Sequence, residues 1–199
     1  FYDRRILRIF PALFAVIATC MGFGIIFLIP SDLVAFAASA ASASAFVANF
    51  FFWSQSGYFA GPSELKILLH LWSLSVEQQF YVIYPVILLA SWQLFREKWT
   101  VVIAVSAVIS FALSIWAIDR DPSAAFYLLP FRAWELMTGA MIALGMFPII
   151  RRQLTRDILA LLGLGLVIYG VVSFSELSRF PGWNALLPCV GAALILLAG

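Results

Sequence analysis

Charge is scarce in this chain. Only 11% of its 199 residues are Asp, Glu, Lys or Arg, against roughly 25% in a soluble domain, which excludes an ordinary water-facing globular fold. A single histidine, His70, and two cysteines, Cys20 and Cys189, both inside apolar runs, offer no metal-ligand spacing and no disulfide framework. The cysteines read as small core residues. No motif suggests a metal, a flavin or a nucleotide-hydrolysing loop, and with a net charge of +2 nothing supports nucleic-acid binding. No cleavable signal peptide and no repeat of fixed period is visible. What abounds is apolar sequence: 64% hydrophobic residues and a mean hydropathy of +1.02. With apolar runs near the length that crosses a bilayer, these values describe an integral membrane protein.

Six segments read as spans: 12–29, 72–95, 100–118, 126–147, 157–175 and 183–199. The expected fold is therefore an all-α, polytopic transmembrane helix bundle of about six spans. Residues 33–53 are long enough to cross but are dominated by Ala and Ser, which weakens insertion. If they do not cross, Arg4, Arg5, Arg8, Arg96, Lys98, Arg151, Arg152 and Arg156 share one side against Lys66, Arg120 and Arg179, eight to three; if they cross, the split is six to five. The positive-inside bias selects the first arrangement. It puts Phe1 to Phe10 at the cytoplasmic face and His70, Ser73 and Glu77 near the outer end of their helix. Residues 31–71 then form an extracytoplasmic or re-entrant segment, punctuated by Pro30, Gly57, Gly61 and Pro62. Beginning at Phe1 and ending directly after an apolar run, residues 1–199 read as a single membrane domain, an internal fragment lacking the first helices and the C-terminal part of a longer protein.

Against this apolar background, His70-Leu-Trp-Ser-Leu-Ser-Val-Glu-Gln-Gln-Phe-Tyr81 stands out, because it sets ionisable groups where a hydrophobic helix begins. At about 100° per residue, His70, Ser73, Glu77, Tyr81 and Tyr84 fall within an arc of about 80°. A carboxylate is costly to desolvate, so Glu77 is a candidate functional residue. As the sole histidine, His70 is either a general base or a hydrogen-bonded structural residue. Ser73 belongs to the same stripe, or satisfies backbone near the helix N-terminus.

Two further clusters carry charge. Arg5 and Arg8, three apart with Arg4 beside them, are either a topology anchor or a forked guanidinium clamp for phosphate or pyrophosphate. Arg132 and Glu135, at i and i+3 in or beside a span, either neutralise one another or leave Arg132 to hold an anion or the Glu77 carboxylate. The tryptophans at 53, 72, 92, 99, 116, 134 and 183 lie largely near proposed span ends, as an interfacial belt.

Taken together, Arg-Arg-Ile-Leu-Arg-Ile-Phe-Pro, His-Leu-Trp-Ser-Leu-Ser-Val-Glu-Gln-Gln-Phe-Tyr and Phe-Arg-Ala-Trp-Glu-Leu resemble the acyltransferase-3 family of bacterial membrane O-acyltransferases, the O-acetylases of lipopolysaccharide, peptidoglycan and exopolysaccharide. The resemblance runs in order along nearly the whole chain, through Asn49-Phe-Phe-Phe-Trp and Phe180-Pro-Gly-Trp. It implies that Arg5 and Arg8, with Arg4, serve the acyl-CoA donor. It also implies that Ser73 and Glu77 form the family's Ser-x-x-x-Glu motif, with His70 and Trp72 before it and Gln79 and Tyr81 after it. Arg132 and Glu135 match the later Arg-x-x-Glu. Gln78 stands where the family usually has a second acidic residue, and Leu71 where Thr is common. Gln78 lies about 100° from Glu77, so its loss of charge is expected to be tolerated. The family's Arg-x10-His motif, with the expected catalytic His, would precede Phe1.

The implied activity is transfer of an acetyl group from cytoplasmic acetyl-CoA, a co-substrate used without a metal, to a hydroxyl of a cell-envelope glycan. The implied setting is the bacterial inner membrane, as a multi-pass protein. Some members carry a fused or separate extracytoplasmic esterase-like domain. Within the stripe, Glu77, Ser73 and His70 are the catalytic candidates, and the outward position of Glu77 fits the acceptor. A polytopic transporter or flippase for a glycan or organic anion is the alternative, with Glu77, Arg132 and Glu135 lining a pathway. No inverted repeat and no matched pair of broken helices favours it.

Overall fold

Pro30 at the first position of one helix, Asp121 capping another and a left-handed Phe46 between two more set the punctuation of this chain. The structure is a computed structural model that describes residues 2–56, 66–175 and 179–199. The expected turn residues Gly57, Gly61 and Pro62 lie outside the described residues. Every regular element among those described is helical. Two compact units, Phe1–Gln79 and Phe80–Gly199, divide the chain.

In the first unit, α1 (Tyr2–Phe27) starts with Asp3 in its first turn, a favourable charge at a helix N-terminus. It buries only Leu13, Ile17 and Gly24, leaving most of its apolar side chains outward. Helix α2 (Pro30–Ser44) runs back along α1: Gly24 opposes Leu33 at one end, and the rings of Phe10 and Phe46 meet at 5.5 Å at the other. Its 15 residues span about 22 Å, short of a hydrocarbon core of about 30 Å. At Phe46, with φ of 54°, the chain turns into α3 (Ala48–Ser54). Phe51, Phe52 and Gln55 then come back to line a cleft with Asp32, Phe36 and Ser39. Helices α2 and α3 thus form a hairpin beside α1. Lys66 lines the same cleft, donating to the Gln55 carbonyl at 3.4 Å and lying 5.8 Å above the Phe52 ring, where partial desolvation lowers its pKa.

Helix α4 (Leu71–Phe95) begins in the first unit and continues into the second. The second unit also holds α5 (Trp99–Ile118), α6 (Pro122–Tyr127), α7 (Leu129–Ala143), α8 (Gln153–Ser173) and α9 (Leu186–Ala198). Helix α5 buries Ile103, Ala107, Ser110, Ser114 and Ala117, alternately four and three apart, a seam that lets α7 approach closely. The Ser110 hydroxyl is set into the ladder of α7: it donates to the Pro130 carbonyl at 2.7 Å and accepts from the Trp134 N–H at 3.0 Å. Trp134 is buried with Phe80, Ala107, Met137 and Ala185, unlike the exposed Trp92, Trp116 and Trp183. Between α8 and α9 the backbones touch at Gly163 and Gly191. Arg156 joins the same pair at its other end, donating to the Ala198 carbonyl at 2.6 Å and satisfying a helix C-terminus.

Of the six expected spans, 12–29, 100–118 and 157–175 fall on the three helices long and apolar enough to cross a membrane: α1, α5 and α8. Helix α4 has the length, at 25 residues, but the polar residues of its first half dilute its hydropathy. Helices α7 and α9, at 15 and 13 residues, are shorter than the spans read over 126–147 and 183–199.

Candidate functional site

The stripe's polar residues do not share one environment. Helix α4 starts at Leu71, so His70 sits exposed in the preceding turn rather than on the helix face with Glu77. Ser73 is exposed too, and its hydroxyl donates to the His70 carbonyl at 3.0 Å, the backbone-satisfying arrangement. Further along, Tyr81 and Tyr84 pack on the apolar cluster around Phe80, with the Phe80 and Tyr84 rings stacked at 4.8 Å.

Glu77 is the stripe residue that meets a cation. Arg5 Nη1 of α1 stands 3.9 Å from Glu77 Oε1, both side chains partly exposed. Such a half-solvated pair contributes at most about 1 kcal/mol, so its meaning is positional rather than stabilising. The contact sets Glu77 beside the arginine turn rather than at the opposite end that the cation count implies. Arg4 and Arg8, on the same two turns of α1, are exposed and carry their charge to the surface beside it. A run of three arginines, one of them touching a carboxylate, can bind phosphates and hold a proton acceptor close to them.

Ser75 and Gln79, one turn apart on α4 and flanking Glu77, reach the bend of the α2–α3 hairpin. Gln79 Nε2 donates to the Phe46 carbonyl at 2.9 Å and to Asn49 Oδ1 at 2.8 Å, and Asn49 Nδ2 returns a bond to Gln79 Oε1 at 3.4 Å. Ser75 Oγ accepts from the Ala48 N–H at 3.3 Å. Asn49 and Ser75 are almost wholly buried. A bend in an apolar environment frees backbone groups that must find partners; Gln79 and Ser75 take up the Phe46 carbonyl and the Ala48 N–H, and Asn49 holds Gln79 in place. Gln79 was expected in a supporting role. Ser75 was not singled out, although a Ser and a Gln at i and i+4 within an apolar helix are a legible signal. Gln78 Nε2 is buried with no hydrogen-bond partner among the described residues. Trp72 is partly buried in the first turn of α4.

In the second unit, Arg132 Nη2 donates to Glu135 Oε2 at 2.9 Å, the mutual neutralisation that the i, i+3 spacing offers. The guanidinium also lies 5.6 Å from the Phe126 ring centre and 5.5 Å from that of Phe180, aromatic faces that stabilise a cation in an apolar setting. The pair borders an open cleft of about 370 Å³ together with Phe180, Pro188 and Cys189. Among the described residues, no group of three or more His, Cys, Asp or Glu stands close enough to hold a metal ion.

An all-helical fold among the described residues, with three helices long and apolar enough to cross a bilayer, defines a helical membrane protein. The whole chain, residues 1–199, matches the acyltransferase-3 family profile, described as an acyltransferase domain. The chain belongs to this family and is a membrane acyltransferase. It is 30% identical over 210 residues to an uncharacterized protein of Haemophilus influenzae, covering 98% of this chain and 84% of that one. It is 30% identical over 198 residues to the putative membrane-bound transacylase BcsY of Komagataeibacter xylinus, covering 99% of this chain and 50% of BcsY. To the O-acetyltransferase OatA of Staphylococcus aureus it is 27% identical over 180 residues, covering 89% of this chain and 29% of OatA. The chain thus spans half of BcsY and less than a third of OatA. No solved structure matches it.

Proposed function

We propose that this chain acts as one multi-pass acyltransferase domain of a bacterial inner membrane, moving an acetyl group from acetyl-CoA to a hydroxyl of a cell-envelope glycan. The observation that carries the reading is the approach of Arg5 to Glu77 at 3.9 Å. It sets a guanidinium, a group suited to phosphate, beside a carboxylate, a group suited to accept a proton, and this supports donor binding and proton transfer at one place. Arg5 and Arg8, with Arg4 at the rim, take the donor's phosphate charges. In the reaction the thioester C–S bond breaks and a C–O ester bond forms to the acceptor oxygen. The hydroxyl proton leaves through a carboxylate or imidazole and ends on the departing thiol. Glu77 is the group we assign to accept or orient that proton. His70 and Ser73, exposed just before it, flank the side from which we bring the acceptor.

The names of relatives add support: OatA is called an O-acetyltransferase and BcsY a transacylase. The direct test uses full-length protein in lipid nanodiscs, supplied with acetyl-CoA and an envelope glycan fraction, reading thiol release and ester-linked acetate together. The reading expects both to appear in step. Glycan carried across a vesicle membrane with no thiol released would replace it with transport.

A further inference from the structure

The hairpin bend is the spacer between the two halves of the proposed site. On one side its Phe46 ring rests against Phe10 of α1, little more than a turn from Arg5. On the other side its Phe46 carbonyl and its Asn49 amide are held by Gln79 of α4, and its Ala48 N–H by Ser75. Those two α4 residues stand two before and two after Glu77. Anchoring a helix at two points one turn apart on the same face fixes both its height and its rotation. The direction in which Glu77 points is then set by the latch on the opposite side of the helix. Phe46 holds its φ of 54°, a conformation that a bulky side chain rarely adopts, just past the end of α2. There the Val47 N–H bonds to the Ser42 carbonyl at 2.9 Å and the Phe46 N–H to the Ala43 carbonyl at 3.0 Å, a left-handed helix close that leaves the Phe46 carbonyl turned toward Gln79. Neither Gly nor Asn occupies the bend to relieve it.

We propose that Asn49 and Gln79 are positioning residues for acyl transfer: their reciprocal amide pair locks the hairpin bend to α4 and thereby sets the Arg5–Glu77 separation. The inference rests on the acyltransferase reading above and deepens it, since it assigns a task to two amides that bond to the hairpin bend and to each other. The 2.9 and 2.8 Å bonds from one Gln79 nitrogen spend both of its hydrogens, so no shorter or donor-free side chain replaces it alone. A misplacement of about 1 Å at a reacting group lowers rate by about 100-fold, which makes a latch of this kind visible in kinetics before it is visible in folding.

The test is made on the full-length protein in nanodiscs, with acetyl-CoA as the varied donor and rates normalised to the monodisperse fraction. Asn49→Gln and Gln79→Asn each change the reach of the pair by one methylene, and the double swap restores the total. Each single variant is expected to lower kcat by about 10- to 100-fold with the donor KM within about 3-fold. The swap is expected to recover kcat to within about 3-fold of wild type, a rescue that a loss of bulk stability does not give. Singles that keep wild-type kcat, or a folded swap no better than its singles, overturn the proposal. Should the singles fail to accumulate, Ser75→Ala, which removes one hydroxyl, takes their place: a fall in kcat supports the latch, and unchanged kcat overturns it. Wild-type protein that consumes no acyl-CoA at all is a different result, and it removes the acyltransferase reading rather than the latch.

Discussion

The Gly191 carbonyl oxygen lies 2.5 Å from where a Cβ on Gly163 would stand, and the Gly163 carbonyl oxygen lies 2.7 Å from the Cβ position of Gly191. Two backbones this close leave no space for any side chain, and small residues are what membrane helices use to achieve such approach. Replacing Gly163 with Leu must push α8 and α9 apart. A loss of about 1–3 kcal/mol is expected, as in other overpacked interiors, read as a lower unfolding midpoint in detergent. Gly165, with nothing within 4 Å of its Cβ position, is the control: Gly165→Ala is expected to be neutral or slightly stabilising. Equal effects at the two positions would contradict the packing.

Breaking the Arg132–Glu135 pair from one side leaves a mostly buried charge uncompensated. Arg132→Leu or Glu135→Leu alone is expected to destabilise by about 3–5 kcal/mol, and the double Leu variant to recover most of that. A double variant as damaged as the singles would show that the two residues do more than neutralise each other. Thermal midpoints of the four proteins at one detergent concentration decide the matter.

Ser110→Ala removes the hydroxyl shared by the Pro130 carbonyl and the Trp134 N–H. Leaving such groups without a partner in a buried seam costs about 1–3 kcal/mol. Ser106→Ala, whose hydroxyl bonds only within its own helix to Val102, is expected to change stability far less. Amide exchange at Trp134 provides a local readout of the same loss.

Why some of this was legible from sequence and some was not follows from how far each signal extends along the chain. Glu77 announces itself because a carboxylate in an apolar run is rare, and Arg132–Glu135 because partners three apart share a helix face. The weak Ala/Ser segment at 33–53 is likewise readable as something other than a plain span. Its division into α2 and α3 is not, because the bend falls at Ala45, Phe46 and Val47, none of which favours a turn. The partner that stabilises the bend, Gln79, is 33 residues away. Helix periodicity placed His70 on the stripe, but the helix begins one residue later. Counting cations sets Glu77 far from Arg5, whereas the two side chains stand 3.9 Å apart, a contact between residues 72 positions apart that no local pattern signals.

For the arginine turn, the expectation concerns the donor alone. Arg5→Gln with Arg8→Gln removes two charge-assisted contacts to phosphate, each worth about 1.5–3 kcal/mol. The apparent affinity for acetyl-CoA is expected to fall by at least about 10-fold, since about 1.4 kcal/mol already corresponds to that factor. Donor titration in nanodiscs measures it. An unchanged donor affinity would assign these arginines to topology only.

The central claim is that Glu77, held beside Arg5, belongs to the transfer machinery of an O-acyltransferase. The measurement that tests it most directly is ester-linked acetate on envelope glycans from cells expressing the full-length protein, wild type against Glu77→Gln, at matched membrane abundance. The account predicts acetate in wild type and its loss in the variant, with the variant still in the membrane. Equal acetate in both would contradict it and remove Glu77 from the mechanism.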